Sequence, residues 1–185
     1  MNFFSADLHF NHENIIRFCC RPFRNAAHMN AELIRRYNER VKPGDTCYHI
    51  GDFKLSNDGP NTHELLGMLN GNKVLLAGNH DKNNSVNTPL KFCVIEQYGR
   101  KIVLAHRPED CDFYMGLLGI DLGFCGHVHE KWAFKKGGYG DLINVGVDVW
   151  DFTPVDGKQI FKAYKKWRQD ENSQASENQR PQYCS

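Results

Sequence analysis

Several of the nine histidines in this sequence of 185 residues stand beside carboxylate or amide side chains, where short apolar runs end. Side chains at the carboxyl ends of neighbouring strands in an α/β protein open into a shared crevice, which is where ligands bind. Imidazole and oxygen ligands without a thiolate suit Mn²⁺, Fe²⁺, Zn²⁺, Co²⁺ or Ni²⁺ better than Ca²⁺. The spacing therefore predicts a transition-metal site built from several strand ends. Its candidate positions are Asp7, His9, Asp52, Asn79, His80, His106, His127 and His129.

These positions differ in how strongly each indicates a site. Asp7-Leu8-His9 and Gly51-Asp52 are short, and such pieces are also typical of solvated turns. Gly78-Asn79-His80-Asp81 is stronger, because it ends an apolar run and has no evident turn or packing purpose. Gly126-His127-Val128-His129 puts two imidazoles on one side of an extended segment, because side chains alternate along a strand. Their occurrence together, in this order, favours a metal site over unrelated turns.

The elements that would position these side chains alternate between short β-rich runs and helical patterns, which predicts a mixed α/β domain. We expect this domain to cover residues 1–168. Residues 169–185 are polar with almost no apolar side chains, which predicts a disordered tail. The predicted strands lie near 2–6, 46–50, 73–77 and 142–147, with a hairpin over 92–105 and a helix over 29–40.

Composition excludes several classes of protein. Hydrophobic residues make up 41% and charged residues 24%, and the net charge of +1 argues against a broadly basic nucleic-acid binder. No apolar run approaches the roughly 20 residues of a membrane span, and the first residues do not resemble a signal peptide. The seven cysteines include no Cys-x-x-Cys pair, which favours reduced thiols. We therefore expect a cytoplasmic protein with no membrane partner.

Over residues 2–150 the blocks together resemble the motifs of the calcineurin-like metallophosphoesterase superfamily. The resemblance implies an α/β fold of the α+β type, a four-layer αββα sandwich in which two β-sheets are flanked by helices. It also implies two divalent transition-metal ions bridged by Asp52. One ion would be held by Asp7, His9, Asp52 and His129, and the other by Asp52, Asn79, His106 and His127.

The resemblance further implies a metal-dependent phosphoric ester hydrolase. Its substrate would be a phosphodiester or phosphomonoester, attacked by a hydroxide that bridges the two ions. Mn²⁺ is the favoured ion, with Fe²⁺, Zn²⁺, Ni²⁺ and Co²⁺ as alternatives. His80 would not be a ligand: it is expected to act near the leaving-group oxygen, and Asp81 beside it to orient and charge its imidazole.

Other polar residues near these motifs are weaker candidates. His12 and Arg17 could contact the substrate phosphate, although a plain loop histidine and a solvated arginine fit the sequence as well. Arg21 is interpreted as a solvated surface arginine. Asn144 and Asp148 flank the last predicted strand, and no pattern assigns a role to either.

Departures from the larger subfamilies narrow the resemblance. Phe53-Lys54-Leu55 follows Asp52, so the tyrosine that purple acid phosphatases carry three residues after this aspartate is absent. The Asp-Arg-Gly sequence of protein Ser/Thr phosphatases is absent as well. The sequence also has no insert long enough for a cap or second domain. It therefore resembles the small phosphoesterases of bacteria and phages that lack a cap, whose substrates the motifs do not specify.

Two alternatives to a small-molecule phosphoesterase stay open. One is a catalytically silent interaction or scaffold member of the same fold, and the other is a nuclease. The expected partner is a phosphate-ester substrate, with nucleotides among the candidates and no strong signal for nucleic acid. The natural substrate, the preference for mono- or diesters and the oligomeric state are left open by the sequence.

Overall fold

Two β-sheets pack face to face in the computed structural model, which describes residues 1–81, 86 and 88–178. The first sheet has the strand order β3-β2-β1-β9, in which β1, β2 and β3 are parallel and β9 is antiparallel to β1. Its strands are β1 (Asn2–Ser5), β2 (Thr46–Ile50), β3 (Asn72–Leu76) and β9 (Val155–Asp156).

The second sheet has the strand order β4-β5-β6-β8-β7, in which the central strands β5, β6 and β8 are parallel. The edge strands β4 and β7 pair antiparallel with β5 and β8. Its strands are β4 (Phe92–Gln97), β5 (Arg100–Ala105), β6 (Leu122–Cys125), β7 (Phe134–Lys136) and β8 (Asp141–Asn144). The predicted hairpin is thus formed by β4 and β5.

Helices cover the outer face of each sheet, which gives the four-layer αββα sandwich that was expected. Helices α2 and α3 pack on the first sheet, α4 packs on the second, and α5 contributes to the core between the sheets. None of the helices among the described residues has the length and apolar content to cross a membrane. The helices are α1 (Glu13–Phe18), α2 (Ala26–Arg40), α3 (Thr62–Met68), α4 (Pro108–Leu118) and α5 (Gly157–Asn178).

The layers follow from the alternation of side chains along each strand. In β1, Phe3 faces the helices of the first sheet, while Phe4 faces the core between the sheets. In β5, Leu104 lies in that same core and Val103 packs against α4. Because both faces of these strands are covered, apolar residues occupy consecutive positions, Phe3-Phe4 in β1 and 102–105 in β5, as expected for buried parallel strands.

The last helix extends beyond the predicted end of the domain. A disordered tail was expected from residue 169, but α5 continues to Asn178, and residues 179–185 lie outside the described part of the chain. Glu171 in this extension lies 3.0 Å from the ammonium group of Lys136 in β7. Low apolar content argues against burial but not against a helix, because Glu, Gln and Ala are good helix formers. For residues 169–178 the structure therefore shows a helix where disorder was predicted.

His49 in β2 is a buried histidine outside the candidate site. Its ring stacks on Tyr37 of α2, with ring centroids 5.7 Å apart, and neither ring nitrogen has a hydrogen-bond partner. Burial lowers the pKa of His49 to about 3. The native state therefore binds this proton less readily than the unfolded chain, so stability is lost as the pH falls from about 6.5 towards 3.

We expect His49→Phe to remove part of this acid sensitivity. At pH 5 the unfolded chain binds a proton on His49 and the folded protein does not, which lowers the free energy of unfolding by up to roughly 2 kcal/mol. Urea unfolding of metal-free protein at pH 7.5 and pH 5 should show a smaller loss in the variant than in the native chain. The exposed His63 on α3 serves as the control, and His63→Gln should leave the native loss unchanged. An equal loss in His49→Phe and the native chain would contradict the prediction.

Candidate metal centre

The carboxyl ends of six parallel strands converge at one edge of the sandwich, and the predicted ligands come shortly after five of them, β1, β2, β3, β5 and β6. Asp7 follows β1 and Asp52 follows β2, while His106 follows β5. The two sheets are joined here, because Ala6 bridges to Gly146 and its carbonyl accepts a hydrogen bond of 3.1 Å from Val147 N–H. The polar side chains that follow separate strands in the sequence therefore lie together in one cluster.

Two sets of ligand atoms form within this cluster. In each set the donor atoms lie within 4.8 Å of one another. The first set is Asp7, His9 and His129, and the second is Asp52, His106 and His127. Asn79 joins the second set, because its Oδ1 lies 3.1 Å from Nε2 of His106. The structure thus brings together all seven residues that were predicted as ligands.

Asp52 lies between the two sets. Its Oδ2 is 3.5 Å from Nε2 of His9 and 3.3 Å from Nε2 of His106, and the Asp52 side chain is almost completely buried. Its Oδ1 accepts a hydrogen bond of 2.9 Å from the main-chain N–H of His80. One carboxylate oxygen therefore faces a histidine from each set, as a bridging ligand would.

The donor atoms of this cluster fit a metal ion. His106 donates its Nδ1–H to the carbonyl of Ile50 at 2.8 Å, so its Nε2 carries the lone pair when the ring is neutral. That lone pair faces the oxygens of Asp52 and Asn79, which also carry lone pairs. His9 is buried and neither of its ring nitrogens has a hydrogen-bond partner. Converging lone pairs without donors are what a cation would satisfy.

The charge states of the metal-free cluster reflect burial opposed by the neighbouring charges. Burial raises the pKa of Asp7 to about 6 and lowers the pKa of His9 well below its usual value. At His106 burial favours the neutral ring, but the hydrogen bond and attraction to Asp52 outweigh it and raise the pKa of His106 to about 9. At Asp52 the same contacts outweigh burial and lower the pKa of the carboxyl group. Without a metal ion, the protonated ring of His106 therefore supplies the positive charge that faces Asp52.

Backbone conformation at the ligands is unusual. Asp7, His9, Asp52, His127 and His129 have φ between 50° and 71°, the left-handed region that non-glycine residues seldom adopt. The loop after β2 also lies very close to the end of β5. Gly51 also has a positive φ of 85°, and a Cβ at that position would overlap the ring of His106. Only glycine therefore lets the loop after β2 approach the end of β5 this closely.

His80 lies at the open side of the cluster. Its side chain is exposed, and its ring centroid is 5.7 Å from that of His9. His12 is half-buried nearby, with its ring centroid 5.3 Å from that of His9. Arg17 lies in the last turn of α1 and is exposed; among the described contacts, its guanidinium has none with a residue of the site. The structure thus places His80 and His12 at the site, while Arg17 lies outside it.

Asp81 has a different set of contacts from the one predicted. Its buried carboxylate accepts hydrogen bonds from the main-chain N–H groups of Asp52 at 2.7 Å, Phe53 at 3.0 Å and Gly78 at 2.8 Å. None of its described hydrogen bonds is made with His80. These hydrogen bonds fix the loop that carries Asp52, and the orientation of the His80 imidazole by Asp81 stays a prediction.

Sequence analysis missed three residues that contact the ligands. Asp148 accepts a hydrogen bond of 3.1 Å from Nδ1 of His129. Asn144 donates a hydrogen bond of 2.7 Å from its Nδ2 to the main-chain carbonyl of the same histidine. Arg21, interpreted from sequence as a surface residue, is buried and contacts Asp148. The turn around Arg21 carries no pattern that indicates this contact, because the two partners are 127 residues apart.

Comparison with known proteins shows relatives along nearly the whole chain. No family model matches the sequence. It is 38% identical over 169 residues to the uncharacterized protein MJ1445 of Methanocaldococcus jannaschii, a match covering 87% of this chain and 89% of that protein. The crystal structure of AQ665 from Aquifex aeolicus, a protein of unknown function, matches with a TM-score of 0.69 and 28% identity, over 88% of this chain and 98% of that one.

A more distant likeness is to Vps29 from Entamoeba histolytica, solved in complex with zinc. The TM-score is 0.47 and the identity 23%, and the match covers 78% of this chain and 73% of that one.

The charge state of His106 predicts how metal binding depends on pH. A metal ion needs the neutral ring, so binding near pH 7.5 should release the proton held between His106 and Asp52. The apparent affinity for Mn²⁺ should rise by roughly tenfold per pH unit up to about pH 9. Calorimetric titration in two buffers of different ionisation enthalpy measures the released protons. His106→Asn, which keeps a ligand atom without a titrating ring, should release fewer, and equal release in both proteins would contradict the assignment.

Proposed function

We propose that this chain, which belongs to the same family as the Methanocaldococcus jannaschii protein, is a calcineurin-like metallophosphoesterase: a metal-dependent phosphoesterase with a two-ion centre. The observation that carries the proposal is the position of Asp52. Its Oδ2 lies within 3.5 Å of a histidine from each ligand set, so a single carboxylate can serve two ions. The proposed substrate is a phosphodiester or phosphomonoester of modest size, with nucleotides included.

The ligand chemistry supports divalent transition metals, and we propose Mn²⁺ as the first ion to test. The cluster offers imidazole nitrogens, carboxylates and one neutral amide, without a thiolate among the two ligand sets. When bound, two such ions would polarise the phosphoryl group and activate a water molecule for in-line displacement. The six described cysteines are free, which supports our proposal of a reducing, cytoplasmic location.

The chain's own residues would hold and orient the reacting groups. Asp81 accepts from the amides of Asp52 and Phe53, which fixes the loop after β2 and with it the direction of the Asp52 carboxylate. The N–H of His80 donates to Oδ1 of Asp52, which anchors the main chain of His80 beside the cluster while its imidazole stays open to solvent. An imidazole in that position can give a proton to a leaving oxygen. His12 on the same side would contact the substrate.

The two alternatives predict different results. A scaffold protein of this fold need not keep an exposed histidine beside a complete ligand set. A nuclease needs a basic groove for the sugar-phosphate backbone, and the net charge of +1 does not favour one. Turnover of bis-p-nitrophenyl phosphate by Mn²⁺-loaded protein, together with a negligible rate on single-stranded oligonucleotides, would support the proposed function. Absence of turnover with Mn²⁺, Co²⁺, Zn²⁺, Ni²⁺ and Fe²⁺ would favour the scaffold.

Asp52→Asn should depress metal content and activity together. The amide removes the charge that faces both ligand sets, so we expect metal affinity to fall by more than about 100-fold, beyond the loss typical of residues that only support ligands. Elemental analysis after dialysis and the rate on bis-p-nitrophenyl phosphate check this. Asp110→Asn, at an exposed acid on α4, is the matched control and should behave as the native protein does. A variant with two ions per chain and near-native turnover would remove the bridging role.

His80→Ala should separate proton transfer from metal binding. Because His80 is not among the ligands, we expect the variant to keep its metal ions. Turnover of alkyl esters, whose leaving oxygen needs a proton, should fall by about 10²–10⁴-fold. Aryl esters such as nitrophenyl phosphates should lose much less, since nitrophenolate leaves unprotonated.

The comparison of the two ester types decides the role of His80. Equal losses of turnover on alkyl and aryl esters would show that His80 is not a general acid and acts through an electrostatic contact with the phosphoryl oxygens. Loss of metal, measured by elemental analysis of the same preparations, would show that His80 is a ligand after all.

A further inference from the structure

A buried ion pair lies directly behind one half of the metal centre. Arg21 follows α1, Asp148 lies in a short 3-10 helix (Val147–Val149) after β8, and both side chains are essentially inaccessible to solvent. Their contact is bidentate: Nε of Arg21 donates to Oδ1 of Asp148 at 2.8 Å, and Nη2 donates to Oδ2 at 2.9 Å. Burying such a pair is costly, and apolar residues of similar size often stabilise a fold as well or better. The pair is therefore poorly explained by stability alone.

The remaining donors of Arg21 hold the main chain of the first ligand segment. Nη2 donates to the carbonyl of Asp7 at 2.7 Å, and Nη1 donates to the carbonyl of Leu8 at 3.1 Å. Asp7 and His9, on either side of Leu8, are both in the left-handed backbone region. Hydrogen bonds to the two carbonyls between these positions oppose relaxation of the strained segment.

The carboxylate of Asp148 holds a third ligand. Besides Arg21, its Oδ2 accepts a hydrogen bond of 3.1 Å from Nδ1 of His129. This contact places the proton of a neutral His129 ring on Nδ1 and leaves Nε2 to the metal side. The bidentate contact with the Arg21 guanidinium favours the ionised form of the Asp148 carboxyl group. One ion pair thus contacts Asp7 and His129 directly, and reaches His9 through the neighbouring Leu8.

The other half of the centre has no such support. His106 is oriented by the main-chain carbonyl of Ile50, and the Asp52 loop is fixed by Asp81. Neither contact involves Arg21 or Asp148. The His127 N–H, which donates to the Asp7 carboxylate at 2.9 Å, links the two ligand sets. Among the other described contacts, the Arg21–Asp148 ion pair supports the first set, whereas main-chain groups orient His106 and Asp52 in the second.

We propose that Arg21 and Asp148 are positioning residues for one metal subsite, the one formed by Asp7, His9 and His129, and that the second subsite is independent of them. This inference rests on the proposed two-ion centre. It assigns the pair a role in metal affinity, in contrast to a general role in folding. Outer-shell partners of this kind typically contribute 10–100-fold in metal affinity.

The test measures binding of Mn²⁺ and of Co²⁺, each alone, to metal-free full-length protein, by calorimetry and by the visible absorption of bound Co²⁺. His129→Ala and His106→Ala first identify which of the two binding events belongs to which subsite. Asp148→Asn should then weaken the event lost in His129→Ala by about 10–100-fold. The event lost in His106→Ala should change by less than about threefold.

Two further variants guard against misfolding and non-specific effects. The charge-neutral double variant Arg21→Met, Asp148→Leu removes the pair without leaving a buried charge, and should fold yet show the same selective loss. Arg36 and Asp151 are the matched control, because the partly buried Arg36 pairs with the exposed Asp151. The Arg36 guanidinium also lies over the Phe152 ring, 6.0 Å from its centroid against 5.9 Å for Arg21. Arg36→Met with Asp151→Asn should leave both binding events unchanged.

The possible results separate this inference from the proposed function. Selective loss at one subsite in folded Asp148→Asn or in the folded double variant supports the positioning role. Equal weakening of both events, or native affinities in a folded double variant, would overturn it while leaving the two-ion centre in place. Fewer than two binding events in the native protein would overturn the two-ion centre itself and the positioning role with it.

Discussion

The buried carboxylate of Asp52 is the point on which the rest of the site depends. It lies at the end of β2, in the middle of the first sheet, yet its oxygens face histidines that come from both sheets. An isolated carboxylate in such a position would be strongly destabilised by the loss of its hydration. The surrounding groups offset this with the N–H of His80 and the charged ring of His106. The ligand loops of the two sheets therefore meet around one anion and the cations or donors gathered beside it.

Sheet topology explains why these groups can gather at all. In each sheet three parallel strands point the same way, so the loops after six strands open at one edge of the sandwich. The bridge between Ala6 and Gly146 then brings the two loop sets together. An antiparallel arrangement of the same strands would send alternate loops to opposite ends. The edge strands β4, β7 and β9 are antiparallel, and no predicted ligand follows any of them.

The ligands could be predicted from sequence because each is a short, local feature: a polar residue placed directly after an apolar run. Short β-rich runs likewise indicated the buried strands β1, β2 and β5. The supporting contacts could not be predicted in this way. Arg21 contacts Asp148, which lies 127 residues away in the sequence, and a single arginine in a turn resembles a surface residue. Asp81 was assigned to its sequence neighbour His80, whereas its described hydrogen bonds go to amides that only the folded loops bring near. Adjacency in sequence was a poor guide wherever a loop reverses direction.

The ligand residues adopt unfavourable backbone conformations and charge states that the surrounding contacts must maintain. Five ligand residues are held in the left-handed region, at a cost of roughly 1–2 kcal/mol each. His9 is buried with both ring nitrogens unpaired, and Asp7 is buried with a raised pKa. A chain that gained nothing at this edge would relax these positions, because each is individually unfavourable. Hydrogen bonds from Arg21 to the main chain beside Asp7, and from the N–H of His127 to the Asp7 carboxylate, prevent that relaxation. These contacts position the ligands, so the binding energy of an ion need not be spent on ordering them.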